Sequence, residues 1–383
     1  MSFKSVSFLL ISINVFILFS CTSSKNISGY DPGQISELRF LSEYRLPWGT
    51  QFKGATTGGL SGIDYDSKRD LYYIICDDPS SKGPARYYTA KIFLGNSTID
   101  SVSILDMIPL LDHNGQQFPN ITKDRYHSVD VEAIRYDAKR DELIWSSEGQ
   151  RYMVDSIALE DPAIFIMNRD GHYKDSFELP ANMHIVKDKK GPRHNGVFEG
   201  ITFDKNYSHV FLSIEEPLWE DGPRAAGGDT TGWVRILKFN RKLKQCMAQY
   251  AYQIDAVPYP ADPLGTYKVN GISDILYLGD DKFIVMERAF STGRIPSDVR
   301  LYIADAKNAE DITSYTLENG PPKKPITKKL LLDMNTLGRH IDNVEGVTFG
   351  PTLPNGHRTL LFVTDDNFFS HQKTQFFLFE VIP

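Results

Sequence analysis

Five times along this chain an alternating apolar run opens on a serine or glutamate, and the run that follows it closes on an acid. SGIDYD from Ser61 is followed by LYYII and Asp77-Asp78. EAIRYD from Glu132 is followed by ELIWSS and Glu148. EGITFD from Glu199 is followed by HVFLSI and Glu215-Glu216. SDILYL from Ser273 is followed by KFIVM and Glu287-Arg288. EGVTF from Glu345 is followed by LLFVT and Asp365-Asp366. The spacing from leading residue to trailing acid is 16 in the first three units (61 to 77, 132 to 148, 199 to 215), 14 in the fourth (273 to 287) and 20 in the fifth (345 to 365). An antiparallel hairpin brings the start of its first strand and the end of its second to one edge. A hairpin repeated at long period is the signature of a ring of blades.

Each hairpin extends to four strands. The added runs are 86–94 and 99–108, then 163–169 and 173–180, then 233–240 and 244–254, then 299–306 and 327–334. The fifth unit retains one further strand, 374–382, and its missing outer strand is available at 37–46. Closing the ring in this way removes an exposed sheet edge. The expectation is therefore an all-β fold, a β-propeller of five four-stranded blades closed by an N-terminal strand. Its repeats of about 70 residues exceed the ~40–50 of compact propellers, which implies long loops and leaves room for a sixth blade. Aromatic residues make up 12% of the chain, which suits β-structure. With 42 basic and 49 acidic residues the net charge is −7, so no nucleic-acid surface is expected.

The N-terminus reads as a targeting segment. Lys4 precedes an apolar run from Val6 to Phe19 that ends in Ser20-Cys21. The run is short for a membrane span and fits a signal-peptide core. A small residue followed by Cys21 resembles a bacterial lipobox. The expected layout is a lipoprotein signal peptide at 1–20, a polar tether at 21–35 and one propeller domain at 36–383, a monomer held by its lipid in the bacterial outer membrane. A plain secretory signal is the alternative. Cys76 and Cys246 lie in strand-like runs of different repeats. They read as inert buried thiols, with a bridge between them left open by an oxidising compartment.

In a propeller the first strand of each blade lines the central channel. The leading and trailing acids then ring one mouth: Asp77, Asp78, Glu132, Glu148, Glu199, Glu215, Glu287, Glu345, Asp365 and Asp366. Such a crowd of carboxylates requires compensation. Ca²⁺ takes six to eight oxygen ligands. Nearby cations, Arg86, Arg151, Arg193 and Arg288, are a second means, and protonation with raised pKa a third. The expectation is the first two together. For any single acid the alternative is a hydrogen bond to turn amides. His127, His194 and His340 precede the leading acids of three repeats and are candidate proton carriers. The sequence contains no G-x-S-x-G, H-E-x-x-H or G-x-x-x-x-G-K-[ST] pattern.

GGLSGIDYD at 58–66, RHNGVFEGITFD at 193–204, MER at 286–288, DNVEGVTFGP from Asp342, LLFVTDDNF from Leu360 and the closing TQFFLFEV resemble the bacterial phytase-like domain family, "esterase-like activity of phytase". The resemblance covers most of the expected propeller. It implies a β-propeller, a cell-envelope location and a phosphoester-type hydrolase. β-Propeller phytases hold calcium ions in an acidic channel mouth. Their DDP signature is echoed by Asp77-Asp78-Pro79, whereas Ser80-Ser81-Lys82 departs from it and they have six blades.

The expected function is calcium-dependent hydrolysis of phosphate or related esters at the channel mouth. Arg86, Arg151, Arg193 and Arg288 would clamp a small anionic, phosphorylated ligand, and Asn195, Asn343 and Asn367 would supply neutral contacts. A calcium-dependent lactonase or arylesterase fits the same residues. So does a non-catalytic propeller that binds a ligand at the cell surface. The lipobox has a direct consequence: Cys21→Ser should leave the precursor uncleaved or release the protein from the membrane fraction, because the tether has no other apolar anchor. Unchanged membrane partitioning of the variant would count against the lipid.

Overall fold

Alternating apolar runs bounded by Gly, Asn and Asp turns become strands throughout the computed structural model, which describes residues 35–383 apart from 154–156, 227–229, 295–296 and 319. The expected signal peptide, Cys21 and all but the last residue of the tether lie outside the described residues. Five four-stranded antiparallel sheets form a β-propeller. From the channel outward, blade one is Leu60–Asp66, Leu71–Cys76, Arg86–Leu94 and Ile99–Pro109. Blade two is Val131–Asp137, Glu142–Ser147, Ala163–Asn168 and Tyr173–Ser176. Blade three is Phe198–Phe203, His209–Ile214, Gly232–Asn240 and Gln245–Ile254. Blade four is Lys268–Gly279, Lys282–Ser291, Asp298–Asp305 and Thr327–Asp333.

Blade five joins the two ends of the described chain. Asn343–Phe349, Thr359–Asp365 and Thr374–Ile382 pair in order, and Glu37–Leu46 adds the outer strand. The expected closure is thus present, from Glu37 against Ile382 to Leu46 against Thr374. The blades pack face to face through apolar side chains, as where Phe211 of blade three meets Phe283 of blade four edge-on at 4.9 Å. Cys76 and Cys246 are free and belong to blades one and three.

The inner strands share one irregularity. Their pairing with the second strand slips between Leu60 and Ile63, Val131 and Ile134, Phe198 and Gly200, Ile272 and Asp274, and Val344 and Gly346. Each slip is a β-bulge that leaves the leading residue out of the ladder: Ser61, Glu132, Glu199, Ser273 or Glu345. A bulge re-aims its side chain, and here the same re-aiming occurs in all five blades. Close approach of neighbouring inner strands explains the glycine that follows the leading residue in blades one, three and five. A Cβ on Gly346 would lie 2.4 Å from the carbonyl oxygen of Ser61, and one on Gly200 would lie 2.7 Å from the Ile275 nitrogen.

One side chain fills the middle of the ring. Arg135 of blade two donates to Ile63 O of blade one at 2.6 Å and to Val347 O of blade five at 3.0 Å. It also donates to Asp274 of blade four at 2.7 Å. Asp274 accepts in turn from Ile275 N and Val347 N, both at 2.8 Å. Both side chains are fully buried. Removing one partner of such a pair leaves an uncompensated interior charge, at a cost of about 3–5 kcal/mol. Asp274→Ala should therefore lose about that much unfolding free energy in a urea titration. Asp274→Leu combined with Arg135→Met should not regain it, because the carbonyls of Ile63 and Val347 and the amide of Val347 then lose these partners. A loss below about 1 kcal/mol in the single variant would show that the plug carries little stability.

Candidate functional site

The second strand of each blade ends beside the bulge. Leu60 pairs with Cys76, Val131 with Ser147, Phe198 with Ile214 and Val344 with Thr364. The next residue in each case, Asp77, Glu148, Glu215 or Asp365, turns into the mouth. In blade four Ile272 pairs with Glu287, so the equivalent residue is Arg288. The 14-residue spacing therefore put the expected acid one place out of register. Glu287 faces outward, where it accepts from Tyr252 Oη at 2.8 Å, Asp255 N at 2.9 Å and Asn270 Nδ2 at 2.8 Å, and pairs with Lys328. The mouth thus carries Glu132, Glu199 and Glu345 from the bulges, with four acids and one arginine from the strand ends.

Successive residues of an extended chain point to opposite sides. That rule removes the second member of each acid pair from the ring. Asp78 binds Arg86 at 2.7 Å and caps the amides of Ser81 and Lys82. Glu216 pairs with Arg224. Asp366 accepts from Gly59 N and Phe368 N, each at 3.0 Å. Three of the expected clamp arginines are also committed elsewhere. Arg86 is buried against Asp78 and Tyr88. Arg151 donates to the carbonyl of Val186 at 2.6 Å and to that of Lys187. Arg193 donates to Pro217 O at 2.7 Å and lies 4.0 Å from the Trp219 ring.

What remains surrounds a cavity of about 440 Å³. Asp77, Glu132, Glu199, Glu215, Arg288 and Glu345 line it, and the expected Asn195, Asn343 and Asn367 do too. Sequence reasoning missed Asp130, Asp342, Phe290, Arg294, Phe369 and His371, which share the wall. Asp130 lies two residues before Glu132, as Asn343 lies two before Glu345, so the period of a strand signalled it. His127 is bound to Asp124 and His340 to Asp342. His194 is held below the usual imidazole range by burial and by Arg224, Arg125 and Arg151.

The electrostatics are lopsided. Burial, then neighbouring carboxylates, pushes Asp77, Glu132, Glu148, Glu199 and Asp365 well above the usual carboxylate range. Burial raises Asp130 to about 6. Burial raises Glu215 to about 7 even though Arg288 opposes the shift. Glu345 is raised by burial, again against Arg288. Arg288 lies 3.2 Å from Glu215 and 3.5 Å from Glu345. Burial works against its charge, and these acids outweigh that effect.

The donor set fits a hard cation. Oxygens of Asp77, Asp130 and Glu132 lie within 4.8 Å of one another, as do those of Glu132, Glu148 and Glu199. Glu148 uses one oxygen on Val197 N, while its buried Oε2 has no hydrogen-bond partner. Asp365 accepts from Asn367 N at 2.7 Å, and its buried Oδ2 likewise has none. An orphaned buried carboxylate oxygen is costly unless a cation or proton meets it.

Comparison with known proteins gives two kinds of result. No curated protein matches the chain at a significant level. Among solved structures, an exo-β-1,3-galactanase from Phanerochaete chrysosporium aligns with 87% of this chain at 12% identity and a TM-score of 0.46, and the chain spans 64% of its length. A GH130 structure, from work on glycoside hydrolases that target β-1,2-mannosidic linkages, aligns with 91% of this chain and 97% of its own at 8% identity and a TM-score of 0.49. Likenesses this remote say nothing of substrate or chemistry. The phytase-like family description, "Esterase-like activity of phytase", matches residues 55–368, most of the propeller and the whole acid ring. The chain belongs to the phytase-like family of "esterase-like activity of phytase" proteins.

Proposed function

We propose that the protein is a calcium-dependent hydrolase of phosphate or related esters, acting at this mouth. The observation that carries the reading is the under-compensated mouth: the seven acids of the ring with Asp130 and Asp342 beside them, orphaned oxygens on Glu148 and Asp365, and the guanidinium groups of Arg288 and Arg294 against them. Calcium suits a set made only of oxygens. Asp77, Asp130, Glu132, Glu148 and Glu199 would hold it, with Glu132 common to both oxygen groups. When bound, such an ion polarises a phosphoryl or carbonyl oxygen and acidifies a water.

The chain's own residues supply the rest. Arg288 keeps its charge and lines the cavity, so its guanidinium can donate to a substrate oxygen. Asn195, Asn343 and Asn367 orient the ester through neutral contacts. Glu215, near 7 and beside Arg288, is suited to exchange a proton at neutral pH. On the same reading the protein is a lipid-anchored monomer of the cell envelope that meets small anionic substrates; the apolar run from Val6 to Phe19 ahead of Ser20-Cys21 supports the anchor.

Two measurements test the metal. Calcium that binds only the folded protein should raise its stability by about 2.7 kcal/mol at a hundredfold excess over Kd. Glu199→Gln, which removes one of these ligands, should then melt below wild type in calcium, with the gap shrinking or reversing in chelator. An equal loss in both buffers would mark Glu199 as a structural residue, and a wild type indifferent to calcium removes the metal reading altogether.

The second measurement is the pH dependence. A carboxylate raised in the folded state binds more protons there than in the unfolded chain, so its ionisation erodes stability as pH rises. In chelator the melting temperature should fall between about pH 4, the ordinary carboxylate value, and about 7, the value for Glu215. Saturating calcium should flatten that slope. A slope unaffected by calcium would place the titration outside the metal site.

A further inference from the structure

The mouth is divided in its chemistry. The oxygens grouped closely enough for a cation come from blades one to three, through Asp77, Asp130, Glu132, Glu148 and Glu199. Blades four and five and their loops contribute Arg288, Arg294, Asp342 and Glu345 to the same cavity, and also its two phenylalanines. Phe290 is 38% exposed and Phe369 is 55% exposed. Single exposed apolar side chains are ordinary on a surface. Two that line the wall of an acid-floored cavity require another reason.

Their placement follows from the strands. Phe290 lies two residues beyond Arg288 on Lys282–Ser291, so both face the same way, about 7 Å apart along the strand. Phe369 follows Asp365 by four residues and stacks on His371 at 5.4 Å and 23°. Phe290 has Tyr267 as a neighbour at 6.1 Å. Each phenylalanine thus has one ring neighbour and remains accessible from the cavity. A ligand whose anionic head meets Arg288 and a cation held by the acid floor can lay its remaining part along them.

We infer that the substrate's non-reacting part is a ring with an apolar face, gripped by Phe290 and Phe369. The inference rests on the reading of the mouth as an ester site and adds a specificity element to it. An aryl group and the apolar face of a sugar share this chemistry, and both stack on aromatic side chains. A small alkyl ester gains nothing from the rim.

The test is competitive binding in saturating calcium with phenyl phosphate, glucose 1-phosphate and methyl phosphate, measured calorimetrically. At least one ring phosphate should bind about tenfold tighter than methyl phosphate, as an aromatic contact of ordinary strength provides. The order of the two ring phosphates identifies the ring. Phe290→Ala and Phe369→Ala should each collapse that ratio towards unity, and Phe369→Trp, which keeps an aromatic face, should preserve it. Equal affinity of wild type for all three phosphates overturns the ring clamp and leaves the phosphate site standing. If no phosphate binds but phenyl acetate does, and the alanine variants release it, the clamp stands and the phosphate reading falls. Binding of none of the four overturns both.

Discussion

The propeller depends on one guanidinium placed where five sheets converge. Arg135 reaches backbone carbonyls of blades one, four and five and the carboxylate of Asp274, all from a strand of blade two. Five strands that lead into a narrow channel leave polar backbone groups facing inward, and such groups must be paired. A single planar cation with several donors meets this need. The plug also separates the two mouths. The acid ring lies on one side, and a smaller cavity lined by Asp64, Tyr136, Phe203 and Tyr277 lies on the other.

Much of this was legible in the sequence because it is periodic. Five hairpins, their order and the closing strand at 37–46 follow from repeat spacing and from the need to satisfy a sheet edge. The polarity of the mouth was legible for the same reason. Two finer matters were not. The bulges at Glu132, Glu199 and Glu345 arise from contact between neighbouring blades, and no propensity within one strand encodes them. The register of blade four was also hidden. Matching acids by spacing selected Glu287, while the ladder places Arg288 at the mouth.

The arginines show where composition misleads. Arg86, Arg151 and Arg193 are near the acids in sequence, and each is turned to a structural task. A buried guanidinium needs several acceptors, and turn carbonyls supply them more readily than a ligand does. Arg288 differs because its strand ends at the mouth, where two carboxylates share it and its Nε is left over. Site and scaffold therefore use the same residue type, and only the sheet register tells them apart.

Pairing of Glu37–Leu46 with Thr374–Ile382 also bears on how the molecule is made. Blades one to four are built from contiguous sequence and can assemble as the chain emerges. The fifth joins segments from opposite ends of the described chain, a contact of very high sequence separation, which makes ring closure slow and late. Until that step the strand Thr374–Ile382 exposes its outer edge, and the outer strand of a second copy is the best available match for it. A concentrated population of newly made chains is therefore prone to exchange this one strand, giving linked pairs in which each ring is closed by its neighbour.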